Sequence, residues 1–286
     1  MPQFDDEPQM KKAAKEFMLK FHEGNPGDFP DTATSLGPSS YGLLVAVAER
    51  LADAGRPRVL DLGCGNGALC AMVSQALGGR CQVTGVDINP VQTERAQQLN
   101  GAENISFRCA PGDRLGLPEN SVDLVLSHMS FCFMPPLEAV LREIDRVTAD
   151  GGEFSFVVGD GERDIGIELE YQEIANRVME EEGVTDLGQA LVDPRVFDIE
   201  AFKDLVAAHT SFAAPLERQR FQLPLKMTGA EYLTFITGDY GWSLLSEAGR
   251  ARITREVAHL LPDDGDAPVS AAIALQQITL TKPKPS

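Results

Sequence analysis

The sequence predicts an α/β protein built on a mostly parallel sheet, and three observations lead to this. Apolar runs of strand length alternate with helical patterns between residues 57 and 159, a glycine-rich turn follows the first of these strands, and an aspartate ends the second. Such alternation is typical of βαβ units, in which the chain returns through a helix before the next parallel strand. The chain has 286 residues and is long enough to bury a substantial core.

Each element of this region follows from its own local pattern. The predicted order is the strand RVLDL, the helix ALCAMVSQAL, the strand QVTGVDI, the helix NPVQTERAQQLN, the strands ISFRCA and VDLVLSH, the helix PLEAVLREIDRVT, a turn at ADGG and the strand EFSFVVG. The strands are short apolar runs, and the helices have the longer helical period. Gly78 and Gly79 stop the first helix, whereas Asn89 can cap the second and Pro90 suits its first turn.

The segments on either side of this region are richer in helix. Residues 1–50 are expected to form an N-terminal helical cap, and 51–286 the main domain. Within that domain, 160–250 is mostly helical and is expected to serve as a substrate lid. The predicted elements of this late part are the acidic helix IGIELEYQEIANRVMEEEG, the helix DIEAFKDLVAAH, the strand LERQRFQLPL, two short helices around an aromatic turn, and a closing strand in PVSAAIALQQITLTK.

Charge and cysteine content exclude several classes of partner. The chain has 43 acidic and 25 basic residues and a formal net charge of -18, so its surface is expected to repel nucleic acid and anionic membrane. Its five cysteines are odd in number and lack C-x-x-C spacing, which predicts reduced thiols rather than a disulfide frame or a metal site. The sequence shows no apolar signal core or membrane span, so a cytoplasmic location is expected.

The stretch VLDLGCGNGA, residues 59–68, allows two interpretations. Gly63, Gly65 and Ala68 fit the G-x-G-x-x-G/A spacing of dinucleotide-binding turns. The longer pattern D-x-G-x-G-x-G, which begins at Asp61 and ends at Gly67, indicates a different cofactor. In both cases glycines let the backbone approach a ligand, and the following helix offers free N–H groups to an anion.

Asp61 and Asp87 point to an adenosine cofactor with a cationic end. A carboxylate at the start of the turn would repel a pyrophosphate, but it suits the ammonium and sulfonium groups of S-adenosylmethionine. Asp87 ends the second strand 20 residues after Gly67, where a carboxylate can accept hydrogen bonds from ribose hydroxyls. The position of Asp87 fits both interpretations, whereas Asp61 favours the methyl donor.

Four segments in order carry a resemblance to a known family. VLDLGCGNG, GVDINP, GDRLGLPENSVDLVLS and RVTADGGEFSFVV resemble the class I S-adenosylmethionine-dependent methyltransferases of the small-molecule, UbiE-like kind. The resemblance implies a Rossmann-like seven-stranded sheet with an antiparallel last strand. It also implies that Asp113 and the N–H of Arg114 contact the adenine, that Ile88 packs on it, and that Ser127 and His128 line the floor below the methyl group. The expected cofactor-binding residues are Asp61, Gly63, Cys64, Gly65, Gly67, Asp87, Ile88, Asp113, Arg114 and Ser127.

The acceptor site is less well defined by the sequence. His128 is the one histidine at the cofactor floor, where it could accept a proton or simply shape the pocket. Tyr240 and Trp242 could wall a planar acceptor, with Phe21 and Tyr41 opposite, although packing between helices explains the aromatic residues equally well. SHMSF follows the fourth strand in place of an Asn/Asp-Pro-Pro-aromatic motif, which argues against an amide or exocyclic-amine acceptor.

We therefore expect methyl transfer from S-adenosylmethionine to a small-molecule acceptor, at oxygen or nitrogen, in secondary or specialised metabolism. S-adenosylhomocysteine would be the product, no metal is expected, and the protein would be a monomer or homodimer. One alternative is an NAD(P)-binding oxidoreductase, which would need a second mononucleotide-binding half after the fifth strand. The other is a non-catalytic S-adenosylmethionine-binding protein, in which damage to the turn or to Asp87 would be expected.

Overall fold

The computed structural model describes residues 13, 16, 17, 20, 40–160, 165–238, 240–262, 264 and 267–285. Most of the predicted N-terminal cap therefore lies outside the described residues. Contacts divide the chain into two units. The sheet unit comprises, among the described residues, 40–158, 193–219 and 276–285, and the helical unit comprises 159–192 and 220–275 with the four N-terminal positions.

The sheet unit contains the predicted parallel strands. They are β1 (Arg58–Leu62), β2 (Gln82–Asp87), β3 (Ile105–Cys109), β4 (Val122–His128) and β5 (Thr148–Gly159). Their order is β3-β2-β1-β4-β5, all parallel, and β8 (Ala271–Thr281) follows beside β5. Because the chain order reverses between β1 and β4, the carboxyl ends of these strands border the crevice in which open α/β sheets bind ligands.

The predicted helices of this unit are also present. They are α1 (Ser40–Glu49), α2 (Ala68–Ala76), α3 (Pro90–Asn100), α4 (Leu137–Val147) and α7 (Ile199–His209). The Asn89 side chain accepts the Val91 N–H at 2.9 Å, with Pro90 at the first helical position, as the sequence predicted. Asp198 caps α7 in the same way. The core on one side of the sheet is aromatic, since Phe131 lies 4.9 Å from Phe156 and 5.2 Å from Phe154 between ring centroids.

The predicted turn at ADGG is wrong, because these residues belong to β5. Val122 pairs with Thr148 but Leu124 pairs with Glu153, so the extra residues form a bulge within a continuous strand. The Gly151 N–H donates to the carbonyl of Lys282 and the Lys282 N–H to that of Gly152, both at 2.9 Å. Since Ser155 lies beside Thr279 further along, β8 runs antiparallel to β5, as predicted for the last strand.

The helical unit has its own core. Its elements are β6 (Ile165–Gly166), α5 (Ile167–Glu181), α6 (Thr185–Ala190), α8 (Gly229–Ile236), α9 (Tyr240–Leu244) and α10 (Glu247–Ala258). The aromatic turn predicted between two helices is thus partly the short helix α9. Tyr232, Ile253 and Val257 are fully buried in the apolar cluster of this unit. At its surface, Arg177 pairs with Glu256, while Arg252 pairs with both Glu181 and Glu256.

The described sheet has eight strands rather than the predicted seven. The additional strand is β6, whose two residues pair antiparallel with Ala271 and Ala272 of β8. The strand predicted at LERQRFQLPL is present as β7 (Ala213–Pro224), which pairs with β8. Within the described part of the chain, no helix has the length and apolar character needed to cross a membrane.

Candidate cofactor and active site

The glycine-rich turn after β1 has the backbone geometry that the sequence predicted. Gly63, Gly65 and Gly67 have φ values of 76°, 50° and 82°, which side chains rarely adopt. The N–H groups of Gly63 and Cys64 both donate to the carbonyl of Val86, at 2.7 and 3.0 Å, so the turn is attached to the end of β2. The turn therefore lies directly above the carboxyl edge of β1 and β2.

The three glycines differ in what surrounds them. A Cβ on Gly63 would overlap the side chain of Ser130, and one on Gly67 would lie 2.5 Å from the Phe107 ring. A Cβ on Gly65 would meet no atom within 4 Å. Two glycines are therefore required by close packing inside the unit, whereas the space beside Gly65 is open to a ligand.

Asp87 ties the turn to the start of α3. Its Oδ2 accepts the N–H of Gly65 at 3.0 Å, and its Oδ1 accepts the N–H of Asn89 at 2.9 Å. Carboxylate oxygens act as acceptors only, and hydroxyl groups of a ligand are donors that suit such a group. The next side chain, Ile88, is 38% exposed, which leaves an apolar surface beside this carboxylate.

Asp61 is buried at the base of the turn without a cationic partner among the described residues. It is 2% exposed, and the Cys70 thiol donates to its Oδ2 at 3.2 Å. Burial raises the pKa of Asp61 to about 7, and the thiol hydrogen bond offsets only part of this effect. Burial also raises the pKa of the thiols of Cys64 and Cys70, so both are protonated and unreactive near neutral pH.

The segment predicted to face the adenine is held in place by α4. The N–H of Leu115 donates to Glu143 at 2.8 Å, and Arg146 donates to the carbonyl of Leu117 at 2.8 Å while pairing with Glu143 at 2.7 Å. Asp113 is exposed, and its contact with adenine stays a prediction. The N–H of Arg114, however, donates to the carbonyl of Pro111 at 3.0 Å, so an adenine contact through this group would require the turn to open.

Two serines join the end of β4 to the glycine-rich turn. The hydroxyl of Ser127, which is fully buried, donates to the carbonyl of Leu62 at 2.8 Å, so its observed contact is with the fold. The hydroxyl of Ser130 lies 3.1 Å from the carbonyls of both Gly63 and His128. The backbone of His128 is thereby connected to the cofactor turn through one side chain.

His128 lies at the end of β4, buried against the first turn of α1. Its Nε2 is 2.7 Å from the Ser40 hydroxyl, and its ring stacks on Tyr41 with centroids 3.9 Å apart. Burial lowers the pKa of His128 to about 3, so the imidazole is neutral at physiological pH. Of the predicted acceptor residues, the structure thus brings Tyr41 and His128 together.

For the other predicted acceptor residues, the structure gives at most their place in the chain's own units. Tyr240 and Trp242 belong to the helical unit, where Trp242 packs partly buried against the apolar cluster. Phe21 lies outside the described residues. Sequence reasoning missed Ser40, Ser130, Phe107 and the pair Glu143–Arg146, because each acts through contacts with residues distant in the chain. Local sequence patterns gave a signal for the site only at the glycine-rich turn and at the cap of Asn89.

These features define an α/β domain that presents a glycine-rich turn and two carboxylates at the switch point of its sheet. Residues 60–156 match the family model described as "Methyltransferase domain". This match and the mixed sheet with an antiparallel last strand support the predicted resemblance to the class I S-adenosylmethionine-dependent methyltransferases. The predicted resemblance is thereby confirmed.

Similar curated proteins match about two fifths of the chain. Arsenite methyltransferase of Mus musculus is 34% identical over 128 residues, which cover 41% of this chain and 33% of the mouse protein. Aklanonic acid methyltransferase DauC of a Streptomyces strain is 32% identical over 117 residues, covering 38% of this chain and 53% of DauC. The chain thus spans about a third to a half of the length of these relatives.

Solved structures extend the likeness in fold over most of the chain. The YcgJ protein of Bacillus subtilis has a TM-score of 0.55 at 19% identity, covering 86% of this chain and 99% of YcgJ. A candidate methyltransferase from an antibiotic biosynthesis pathway of Anabaena variabilis has a TM-score of 0.59 at 16% identity. The match covers 82% of this chain and 95% of the Anabaena protein. The described residues contain no cluster of three or more His, Cys, Asp or Glu side chains arranged for a metal ion.

Proposed function

We propose that this chain transfers a methyl group from S-adenosylmethionine to an oxygen or nitrogen atom of a small-molecule acceptor in specialised metabolism. The observation that carries this proposal is the combination of an open space beside Gly65 with the carboxylate of Asp87 at its edge. A backbone that a ligand can approach closely, next to a hydroxyl-binding carboxylate, fits an adenosine cofactor.

The residues around the turn fit this cofactor group by group. Asp87 would accept hydrogen bonds from the ribose, and the exposed Ile88 would pack on the adenine near Asp113. Gly63, Cys64, Gly65 and Gly67 would shape the backbone around the amino-acid end. When bound, S-adenosylmethionine supplies an electrophilic methyl group on a cationic sulfur.

Asp61 supports a cofactor with a positive end over a dinucleotide. A buried carboxyl without a cationic partner is disfavoured in its charged form, and an ammonium group nearby would restore the ionised state. A pyrophosphate would instead add negative charge near Asp61 and Asp87. The electrostatics of the site therefore favour the methyl donor over NAD, the cofactor of the oxidoreductase alternative.

The acceptor class is supported by the relatives and by the floor of the site. Two relatives are named for acceptors of metabolic origin, namely the aklanonic acid methyltransferase and a malonyl-[acyl-carrier protein] O-methyltransferase of Bacillus cereus. On the chain itself, the floor would include Ser127 and His128, with Tyr41 beside His128, and burial would exclude water from the reacting atoms. We retain Tyr240, Trp242 and Phe21 as proposed acceptor contacts and the region 160–250 as a proposed lid.

Calorimetric titration with S-adenosylhomocysteine and with NAD tests the proposal. We expect micromolar binding of S-adenosylhomocysteine and none of NAD. Asp87→Ala should weaken the binding about a hundredfold, because it removes the ribose acceptor and releases the Gly65 N–H. The matched control is Glu94→Ala, which removes an exposed carboxylate from the same helix that Asp87 precedes. Binding of NAD in preference to S-adenosylhomocysteine, or equal binding by Asp87→Ala, would contradict the proposal.

A further inference from the structure

The hydroxyl of Ser40 lies 2.7 Å from Nε2, one of the two ring nitrogen atoms of His128. Pairing of Asp61 with Leu126 in adjacent strands places the end of β4 level with the glycine-rich turn. Ser130 completes this link, since its hydroxyl contacts the carbonyls of both Gly63 and His128. His128 therefore stands at the edge of the proposed cofactor site, and the state of its imidazole determines what it can offer to an acceptor.

The hydrogen bond between Ser40 and His128 has a preferred direction. Both residues are buried, with 6% and 7% exposure. Among the described residues, Nε2 of His128 is the one recorded hydrogen-bond partner of the Ser40 hydroxyl, at 2.7 Å. Buried hydroxyl groups normally donate a hydrogen bond, and a hydroxyl with one neighbouring acceptor donates to that acceptor. Nε2 is then the acceptor, and the proton of the neutral imidazole lies on Nδ1.

The surroundings of the ring agree with a neutral imidazole. Among the described residues, the recorded polar and aromatic contacts of the ring are the Ser40 hydroxyl and the Tyr41 ring, both from α1, and the Ser130 hydroxyl contacts its backbone. No charged side chain among the described residues contributes to its pKa, which burial alone lowers to about 3. Nδ1 has no hydrogen-bond partner among the described residues, so its hydrogen-bonding capacity is not used by them.

We infer that Ser40 is a positioning residue, which donates to Nε2 of His128 and so presents Nδ1–H as a hydrogen-bond donor to an oxyanion acceptor. The inference rests on the proposed function and assigns its acceptor to oxygen acids that arrive ionised, such as a carboxylate or phenolate. The acceptor oxygen forms its bond to the methyl carbon as the carbon–sulfur bond breaks, with the electron pair remaining on sulfur. No proton moves in this step, so His128 is a donor that orients the acceptor rather than a base.

Nitrogen NMR of the full chain labelled with ¹⁵N-histidine tests the role of Ser40 without any turnover. The chain has four histidines, and His128→Asn identifies the signals of His128. We expect the Nδ1–H tautomer at pH 7 and no protonation of His128 between pH 8 and pH 5. Ser40→Ala should give a mixture of tautomers, and Ser40→Thr should restore the single one because it keeps the hydroxyl. An Nε2–H tautomer in the wild type, or an unchanged tautomer in Ser40→Ala, would overturn the inference.

Titration of benzoate into the same sample saturated with S-adenosylhomocysteine tests the acceptor class. We expect the Nδ1–H resonance of His128 to shift with benzoate but not with benzylamine at equal concentration. His128→Asn keeps an N–H donor close to the Nδ1 position, whereas His128→Gln does not. The affinity for benzoate should therefore stay within about tenfold of wild type in His128→Asn and be lost in His128→Gln. An unmoved resonance at 50 mM benzoate would overturn the oxyanion assignment. Failure of S-adenosylhomocysteine to bind would refute the proposed function, while the tautomer of the free protein still decides the role of Ser40.

Discussion

Two sets of charged groups, one in each unit of the chain, lie in opposite environments. In the sheet unit, Asp61 and His128 are buried. Burial raises the pKa of Asp61 and lowers that of His128, so it favours the neutral form of each. In the helical unit, the ion pairs that join α5 and α10 lie at the surface, where Arg252 contacts Glu181 and Glu256. Solvent screens the second arrangement but not the first, so the two kinds of site have very different energetic consequences.

The difference teaches where function resides in this fold. A buried carboxyl without a cationic partner lowers stability, and such a group is retained where a ligand completes it. Exposed ion pairs change stability little and carry no such requirement. Asp61 and His128 in the sheet unit therefore indicate a binding site, while the ion pairs between α5 and α10 in the helical unit indicate a solvated surface that joins two helices. Substitutions at four positions test this contrast, beginning with the largest expected effect.

Substitution of two neighbouring glycines separates folding from binding. Gly63→Ala should lower the free energy of unfolding by about 3 kcal/mol, since a Cβ there overlaps Ser130 and φ is positive. Gly65→Ala has positive φ but free space, so its cost should be about 1 kcal/mol. Urea unfolding measures both. If the open space is the ligand site, Gly65→Ala should nonetheless abolish S-adenosylhomocysteine binding, and full retention of affinity would contradict that assignment.

Asp61→Asn should stabilise the protein without ligand but impair its binding. The folded carboxyl titrates near pH 7 and the unfolded one near its ordinary value of 3.8, so stability falls as pH rises between these values and stays low above them. The neutral amide avoids this loss. The melting temperature should therefore rise at pH 8, by the equivalent of a few kcal/mol, and change little at pH 4.

The same variant distinguishes a binding carboxylate from a structural one. Binding of S-adenosylmethionine, which has a cationic ammonium group, should weaken at least tenfold because the variant has no charge to meet it. Asp61→Glu restores the charge in a larger side chain and serves as the comparison. The difference in stability between Asp61→Asn and wild type is compared at pH 8 and at pH 4. If the variant gains less over wild type at pH 8 than at pH 4, burial does not disfavour the charged carboxylate of Asp61.

Arg252→Ala should have the smallest effect. Its ion pairs with Glu181 and Glu256 are exposed, so the melting temperature should fall by no more than about 2 °C, and less in 0.5 M salt. Arg255→Ala is the control, because Arg255 is exposed in the same helix and has no ion pair among the described residues. A decrease as large as that of Gly63→Ala, or one that persists in salt, would remove the contrast between the units.

The sequence predicted those features that depend on short segments. The strands from Arg58 to His128, the cap at Asn89 and the positive-φ glycines each follow from neighbouring residues, and the structure confirms them. The ADGG turn failed because Gly151 and Gly152 pair with Lys282, more than a hundred residues away. The two-residue strand β6 was missed for the same reason, since its pairing with β8 defines it.

The candidate site shows the same limit. Asp61 and Asp87 were found from their distance to the glycines, but the burial of Asp61 and its contact with Cys70 require the folded structure. Ser40 lies 88 residues from His128, and no pattern in one sequence joins them. The helix α9 was predicted as a turn because its five residues, Tyr240–Leu244, include a glycine and are too few to show a helical period.

The attachment of residues 115–117 to α4 has a consequence for the kinetics of binding. Glu143 and Arg146 hold the backbone at Leu115 and Leu117 from one helix, so this stretch has its folded conformation before a ligand arrives. If the binding-competent population is already dominant, the apparent affinity is not reduced by a preceding conformational equilibrium. Association should then be a single concentration-dependent phase, and loss of the Glu143 carboxylate should introduce a slower phase that does not depend on ligand concentration.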